Sequence, residues 1–311
     1  MNNLTLKQLR YFEALARQGH FGRAADVCAI SQPALSMQIR DLEATLGTPL
    51  FERSARQVRL TSFGAAFAER VRDILRAVDE LGDLARAAKG GLAGQLRLGV
   101  IPTVAPYLLP GLLPALTRAW PELDLHLREA LTQRLLTELR AGGLDAAIVA
   151  LPVSEPGIEE APLFAESFVL VRPQAQADQP VPGPDGLRAM RLLLLEEGHC
   201  FRDQALSFCD MAPGRAREVL DGSSLATLVQ LVGAGIGVTL IPEMAVPVET
   251  RSAPVAVARF PEPQPSRTIG MIWRRTSPLA PQLAQIGAMV QAVGRGQSVA
   301  VSPQQAPAHH P

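Results

Sequence analysis

The chain has 311 residues, of which 47% are hydrophobic and 19% charged, and its formal net charge at pH 7 is zero. That length calls for two or three domains. The composition excludes a disordered polar chain, and the balanced charge excludes a uniformly basic binder of polyanions. The balance is uneven along the chain: residues 1–62 carry 8 basic and 5 acidic side chains, a surplus of three positive charges that the remainder offsets. The N-terminal segment is therefore the part suited to meet a polyanion.

No secretory leader is read in the first twenty residues, where Lys7, Arg10, Glu13 and Arg17 interrupt any apolar run. The longest apolar stretch, Leu225 to Pro242, is short and carries glycines at 233, 235 and 237, so it does not read as a membrane span. A cytoplasmic location is expected, with no membrane partner and with the three cysteines reduced at rest.

Thr5 followed by Gln8 forms a capping box for a first helix carrying Leu6, Leu9, Phe12 and Ala16. A second helix reads from Phe21 to Cys28, with Phe21, Ala24, Ala25 and Cys28 on one small apolar face; Cys28 is expected to pack in the core. Ser31 caps a third helix that tolerates Pro33 in its first turn. Along it, Leu35, Ile39, Leu42 and Leu46 form one stripe, and Pro33, Ser36, Met37 and Arg40 lie opposite. That outer face is short-chained and polar, which suits entry into a major groove, with Gln32 placed to read a base. Leu50–Arg53 and Val58–Leu60 read as two short strands around a turn, a wing bearing Arg53 and Arg56. The DNA-contacting set is thus Ser31, Gln32, Pro33, Ser36, Arg40, Arg53 and Arg56, within a domain of residues 1–62.

A long helix then runs from Thr61 to about Lys89. Phe67, Val71, Ile74, Val78 and Leu81 alternate at spacings of four and three, the pattern of a two-helix seam, so a dimerising linker is expected over 63–90. Two heads would read two half-sites and multiply affinity.

The segments Phe21–Ala25, Ser31–Glu43 and Leu46–Arg53, in this order and spacing, resemble the LysR-type transcription regulators. The resemblance extends to about residue 293. It implies a winged helix-turn-helix, a dimerising helix and a two-lobed α/β effector domain like the periplasmic binding proteins.

Beyond residue 95, strand-like runs are Leu96–Ile101, Leu123–Leu127, Asp145–Leu151, Phe168–Val171, Leu192–Leu195, Gly237–Ile241 and Thr268–Trp273. Helical patterns lie between many of them, the first near Tyr107–Arg118, so an α/β domain is expected over 95–294. Residues 295–311, rich in Gln, Pro and Ala, read as a disordered tail, and His309 with His310 is too small a cluster for a metal.

The segment Leu192–Cys209 holds two of the three cysteines, nine residues apart. Cys200 follows His199 and precedes Arg202, neighbours that favour a thiolate. Were the intervening segment one helix, the two Cα atoms would be about 13 Å apart and half a turn out of phase. A disulfide needs them within roughly 7 Å, so bonding would require the segment to unwind. On residues alone the pair is also compatible with two small buried hydrophobes, or with zinc held by His199, Cys200 and Cys209, although a fourth ligand is not apparent. No metal and no cofactor is expected.

Glu197–Cys209, Ile101–Thr103, Glu129–Thr132 and Arg267–Gly270 are similar to the peroxide-responsive members of the LysR family. That resemblance implies Cys200 as the peroxidatic thiol and Cys209 as the resolving thiol, with Thr103, Thr132, His199, Arg202, Asp203 and Arg267 forming or supporting a peroxide pocket. It further implies promoter DNA and hydrogen peroxide as partners, a homotetramer, contact with RNA polymerase, control of antioxidant genes, and reduction by glutaredoxin or thioredoxin. Two alternatives stay open. One is a LysR-type regulator that senses a metabolite between its lobes, and the other a thiol peroxidase. A solute-binding protein is disfavoured by the missing leader.

Overall fold

The computed structural model describes residues 4–53, 58–88, 94–209 and 221–296. The chain divides into two compact units, Met1–Ala85 and Arg86–Pro311.

The first unit opens with α1 (Leu6–Gln18). Its capping box is formed: Thr5 Oγ1 accepts from the Gln8 amide at 3.3 Å, and Gln8 Oε1 accepts from the Thr5 amide at 3.1 Å. Helix α2 (Phe21–Val27) is capped by His20, whose Nδ1 accepts from the Gly22 amide at 3.0 Å. Ser31 caps α3 (Gln32–Leu46) by accepting from the Ala34 amide. Leu35, Ile39 and Leu42 point inward and meet Phe12, Leu15, Ala24 and Ala25 in one core. Cys28 caps α2 at its C-terminal end and is half-buried against the same core.

Strands β1 (Phe51–Arg53) and β2 (Val58–Leu60) pair antiparallel as a hairpin. The Glu43 carboxylate of α3 accepts from the amides of Leu50 and Phe51 at 2.7 and 3.2 Å, which fixes where the hairpin leaves the helices. Arg56 lies outside the described residues. Thr61 then caps the 27-residue α4 (Ser62–Ala88), accepting from the Gly64 amide at 2.9 Å. Gly64 is required there, because a Cβ at this position would strike the Leu50 carbonyl oxygen.

Two of the five expected seam positions need correction. Val71 is 1% exposed, and the Phe67 ring centroid lies 5.1 Å from that of Phe12, so both belong to the core of their own head. The expectation followed heptad spacing, which cannot separate a helix packed on its own domain from one packed on a partner. Farther along, Ile74 and Leu81 are exposed, as is Leu84, and Val78 is half-buried.

The second unit follows the order β3 (Gly94–Val100), α5 (Ala105–Ala119), β4 (Leu123–Glu129), α6 (Thr132–Arg140), β5 (Ala146–Leu151) and the 16-residue β6 (Ile158–Pro173). Next come α7 (Pro184–Ala189), β7 (Leu192–Leu195), α8 (Cys200–Phe208), β8 (Asp221–Gly222), α9 (Leu225–Gly233) and β9 (Val238–Pro242). The chain closes with α10 (Val246–Glu249), β10 (Val255–Arg259), β11 (Ser266–Arg274) and α11 (Ala280–Gly294). The strands lie in the order β4-β3-β5-β11-β6-β9-β7-β8, with β10 also on β6. Pairing is parallel among β4, β3 and β5 and among β9, β7 and β8. The long strands β6 and β11 run antiparallel between these two sets.

Two separate cores result, one per lobe. The first gathers Leu98, Ile148, Leu112, Leu135 and Ile286, and the second Leu170, Leu193, Leu206, Val229 and Leu240. This is the two-lobed α/β architecture expected from the alternating pattern. The N-terminal half of β6 and all of β10 escape that pattern. Glu159, Glu160 and Pro162 break the apolar run in β6, and the register with β11 shifts beside Pro162.

Candidate functional site

After β7 the chain turns through Gly198, whose φ of +94° is a conformation L side chains rarely adopt. A Cβ there would also come within 3.0 Å of Leu131 Cδ1, so this turn lies directly against the start of α6. His199 is the N-cap of α8, Cys200 its first residue and Cys209 its C-cap. Phe201, Ala205, Leu206 and Cys209 are buried and bind α8 to the second-lobe core. Cys200 is half-buried and leans instead on the core of the first lobe. The thiols are thus free, at opposite ends and opposite faces of one helix, about 13 Å apart along its axis.

The two thiols differ in environment. Cys209 is fully buried, and burial pushes its thiol up to about 11. Cys200 occupies the first turn of α8, the end of a helix that attracts negative charge. His199 is 6% exposed, and burial pushes its imidazole below the ordinary histidine range.

Thr103 and Arg267 come together in the buried centre between the lobes. The Arg267 guanidinium donates to Glu166 Oε2 at 2.8 Å, to Thr103 Oγ1 at 2.8 Å and to the Thr103 carbonyl at 3.0 Å. Its Cζ also sits 5.3 Å from the centroid of the Phe201 ring. Glu166 accepts from the Met244 amide at 3.2 Å. Burial raises the Glu166 carboxyl above the usual carboxylate range, and the Arg267 charge and hydrogen bond pull against that rise. Beside this cluster, the Tyr107 hydroxyl donates to Glu249 Oε1 at 2.7 Å, which joins α5 to α10.

The remaining expected residues separate. Thr132 is the first residue of α6, adjacent to the Leu131 that the Gly198 turn touches, and its Oγ1 is buried without a hydrogen-bond partner. Arg202 donates to the Leu195 carbonyl at 2.7 Å, fastening the first turn of α8 to the end of β7. Asp203 is exposed, and with Gln204, Ser207, Phe208, Phe168, Pro265 and Ser266 it lines an open cleft of about 440 Å³. Helical phase turns it to this cleft and to solvent. Glu166 and Phe201 were not foreseen. A lone carboxylate in the apolar run Phe164–Leu170 is the signal that marks Glu166.

On the head, Ser31, Gln32, Pro33, Met37 and Arg40 are exposed along α3, and Ser36 is half-buried. Arg53 pairs with Val58 at the end of the hairpin. Among the described residues no group of histidine, cysteine and acidic side chains could hold a metal ion.

Two family descriptions match: a bacterial regulatory helix-turn-helix protein of the lysR family over residues 6–65, and a LysR substrate binding domain over residues 89–306. The chain belongs to the LysR family. Among its relatives, the DNA-binding transcriptional dual regulator OxyR of Escherichia coli K12 is 41% identical over 293 residues, covering 93% of this chain and 95% of the relative. A hydrogen peroxide-inducible genes activator of Dickeya chrysanthemi is 41% identical over 290 residues, with the same coverage. Among solved structures, a full-length OxyR cysteine variant from Pseudomonas aeruginosa superposes with a TM-score of 0.76 at 38% identity, over 98% of this chain and 99% of that one. An H2O2-bound OxyR cysteine mutant from Corynebacterium glutamicum gives 0.65 at 38% identity, over 94% and 93%.

Proposed function

We infer that this chain is a peroxide-responsive transcription regulator in which α8 is the switch. The observation that carries the reading is the placement of the two thiols: Cys200 at the positive end of α8 where the lobes meet, Cys209 sealed in one lobe, and a helix too long to let them bond.

The chemistry takes two steps. The Cys200 thiolate attacks one peroxide oxygen, the O–O bond breaks, and the departing hydroxide takes a proton to become water, leaving a sulfenic acid. The Cys209 thiolate then attacks the sulfenic sulfur and displaces hydroxide, which leaves as a second water. Peroxide has accepted two electrons from two thiols. Thr132 Oγ1, buried and unpartnered, and the buried His199 supply polar groups where the peroxide would sit, and Thr103 is held in place by Arg267. Closing the bond unwinds α8 and repacks both cores, a two-state change of the kind that reaches distant heads.

In this reading Ser31, Gln32, Pro33, Ser36 and Arg40 of α3 contact promoter DNA, together with Arg53 and Arg56. Ile74, Val78 and Leu81 of α4 form the seam of a dimer that pairs into a tetramer. RNA polymerase is the downstream partner, glutaredoxin or thioredoxin restores the thiols, and the protein works in the cytoplasm. Among the described residues no helix is long and apolar enough to cross a membrane.

The test is a thiol count. Reduced protein is given stoichiometric peroxide, digested without reductant and searched by mass spectrometry for a Cys200–Cys209 peptide. A rapid, reducible cross-link that is absent in Cys200→Ser is expected. Two free thiols after peroxide, with DNA binding unchanged, would overturn the reading.

A further inference from the structure

Phe201 is the residue immediately after Cys200, and its ring is 2% exposed. One side of the ring faces the Arg267 guanidinium, 5.3 Å from its centroid. Another meets Phe168 edge-on, with centroids 4.8 Å apart and planes at 73°. Arg267 is itself immobilised by Glu166 and by both oxygens of Thr103, so the charge over Phe201 is fixed in position and sealed from water. Phe168 stands in β6, a strand that runs from one lobe into the other. Through this single side chain, α8 is tied to the interlobe ion pair and to a crossover strand. Ala205 and Leu206, also buried on α8, bring only undirected apolar contact.

Disulfide closure requires the Cα atoms of Cys200 and Cys209 to approach from about 13 Å to within roughly 7 Å. The first turn of α8 must therefore leave its seat, and Phe201 must leave with it. A buried cation over an aromatic face is strongest when both are desolvated, as they are here, and the edge-on aromatic pair adds to it.

We propose that Phe201 is a latch, a positioning residue that keeps α8 helical in the thiol state, and that its withdrawal governs how fast Cys209 reaches the oxidised Cys200. The latch rests on the peroxide reading above. It acts on the second step alone: Phe201 reduces nothing, exchanges no proton, and leaves the attack of Cys200 on peroxide unchanged.

The test separates the two steps in the full chain. Sulfenic acid formation is timed in a Cys209→Ser background by dimedone capture, and disulfide closure in the two-thiol protein by stopped-flow tryptophan fluorescence with mass-spectrometric quench. Phe201→Leu keeps apolar bulk and removes the ring. Closure is expected to quicken about tenfold or more, with sulfenic acid formation within about twofold of the parent. A tenfold shift of the equilibrium toward the disulfide would lower its reduction potential by about 30 mV. Phe168→Leu, which loosens the same ring from its other side, should quicken closure in the same direction and serves if Phe201→Leu does not fold. Unchanged closure in folded variants whose Cys200 still forms sulfenic acid normally would overturn the latch and leave the peroxide reading standing. Failure of the parent protein to form sulfenic acid on Cys200 would overturn both.

Discussion

Replacing Arg267 by methionine removes, in one change, the donors to Glu166 Oε2 and to both oxygens of Thr103. What remains is a carboxylate only 7% exposed, with the Met244 amide as its surviving donor. Breaking a buried pair by deleting one partner costs about 3–5 kcal/mol, because the other charge stays buried without compensation. For a unit of this size each kcal/mol moves the midpoint by about 2–4 °C, so a fall of about 6–20 °C is expected. The deficit should depend on pH. Glu166 binds its proton more tightly in the folded chain than in the unfolded one, because burial raises it above its ordinary 4.5. Such a group favours the folded state below that ordinary value, and the advantage is lost as pH rises toward the folded-state value. Without Arg267 the rise is larger, so Arg267→Met should be more damaging at about pH 8 than at about pH 5. Scanning calorimetry of the reduced protein at both pH values reads this directly. Adding Glu166→Gln should remove the extra pH dependence and recover much of the loss, since a neutral amide needs no counter-charge. A loss under about 1 kcal/mol, or a deficit that is the same at both pH values, would refute the account of this cluster.

Two further outcomes follow from the packing of the head and of Cys209. Gly64→Ala drives a Cβ into the Leu50 carbonyl, which should destabilise the head by about 1–3 kcal/mol or more; DNA binding should fail at lower temperature while the peroxide cross-link still forms, as parallel gel-shift and mass-spectrometric titrations would reveal. Cys209, fully buried and pushed up to about 11, should alkylate far more slowly than Cys200 in the native reduced protein, speeding up as pH rises toward that value, and the two rates should converge in urea. Equal native rates would mean that α8 is open in the reduced state.

The head was readable residue by residue because its signals are local. The Thr5–Gln8 box, the Ser31 cap and the Leu35–Ile39–Leu42 stripe each act within one or two turns of helix. The His20 cap was not foreseen, since histidine rarely fills that role. In the effector domain, β3, β5, β7, β9 and β11 were visible as apolar runs, whereas β10 and the charged half of β6 depend on neighbours far away in sequence. The site divides the same way. That one helix, were it to span the pair, would hold the two cysteines apart followed from nine-residue spacing. The Glu166–Arg267 contact joins residues 101 positions apart, and Phe201 gains its place from that contact; neither can be inferred from spacing. Heptad periodicity pointed to Phe67 and Val71 as a partner-facing surface, where the core of their own head claims them.

The spacing of the thiols has a consequence for signal quality. Nine residues put them out of range by both distance and phase, so fraying one turn of α8 shortens the gap without aligning the sulfurs. Partial fraying therefore forms no bond. On the peroxide reading, an oxidised Cys200 would have to wait until the whole helix yields before Cys209 could reach it.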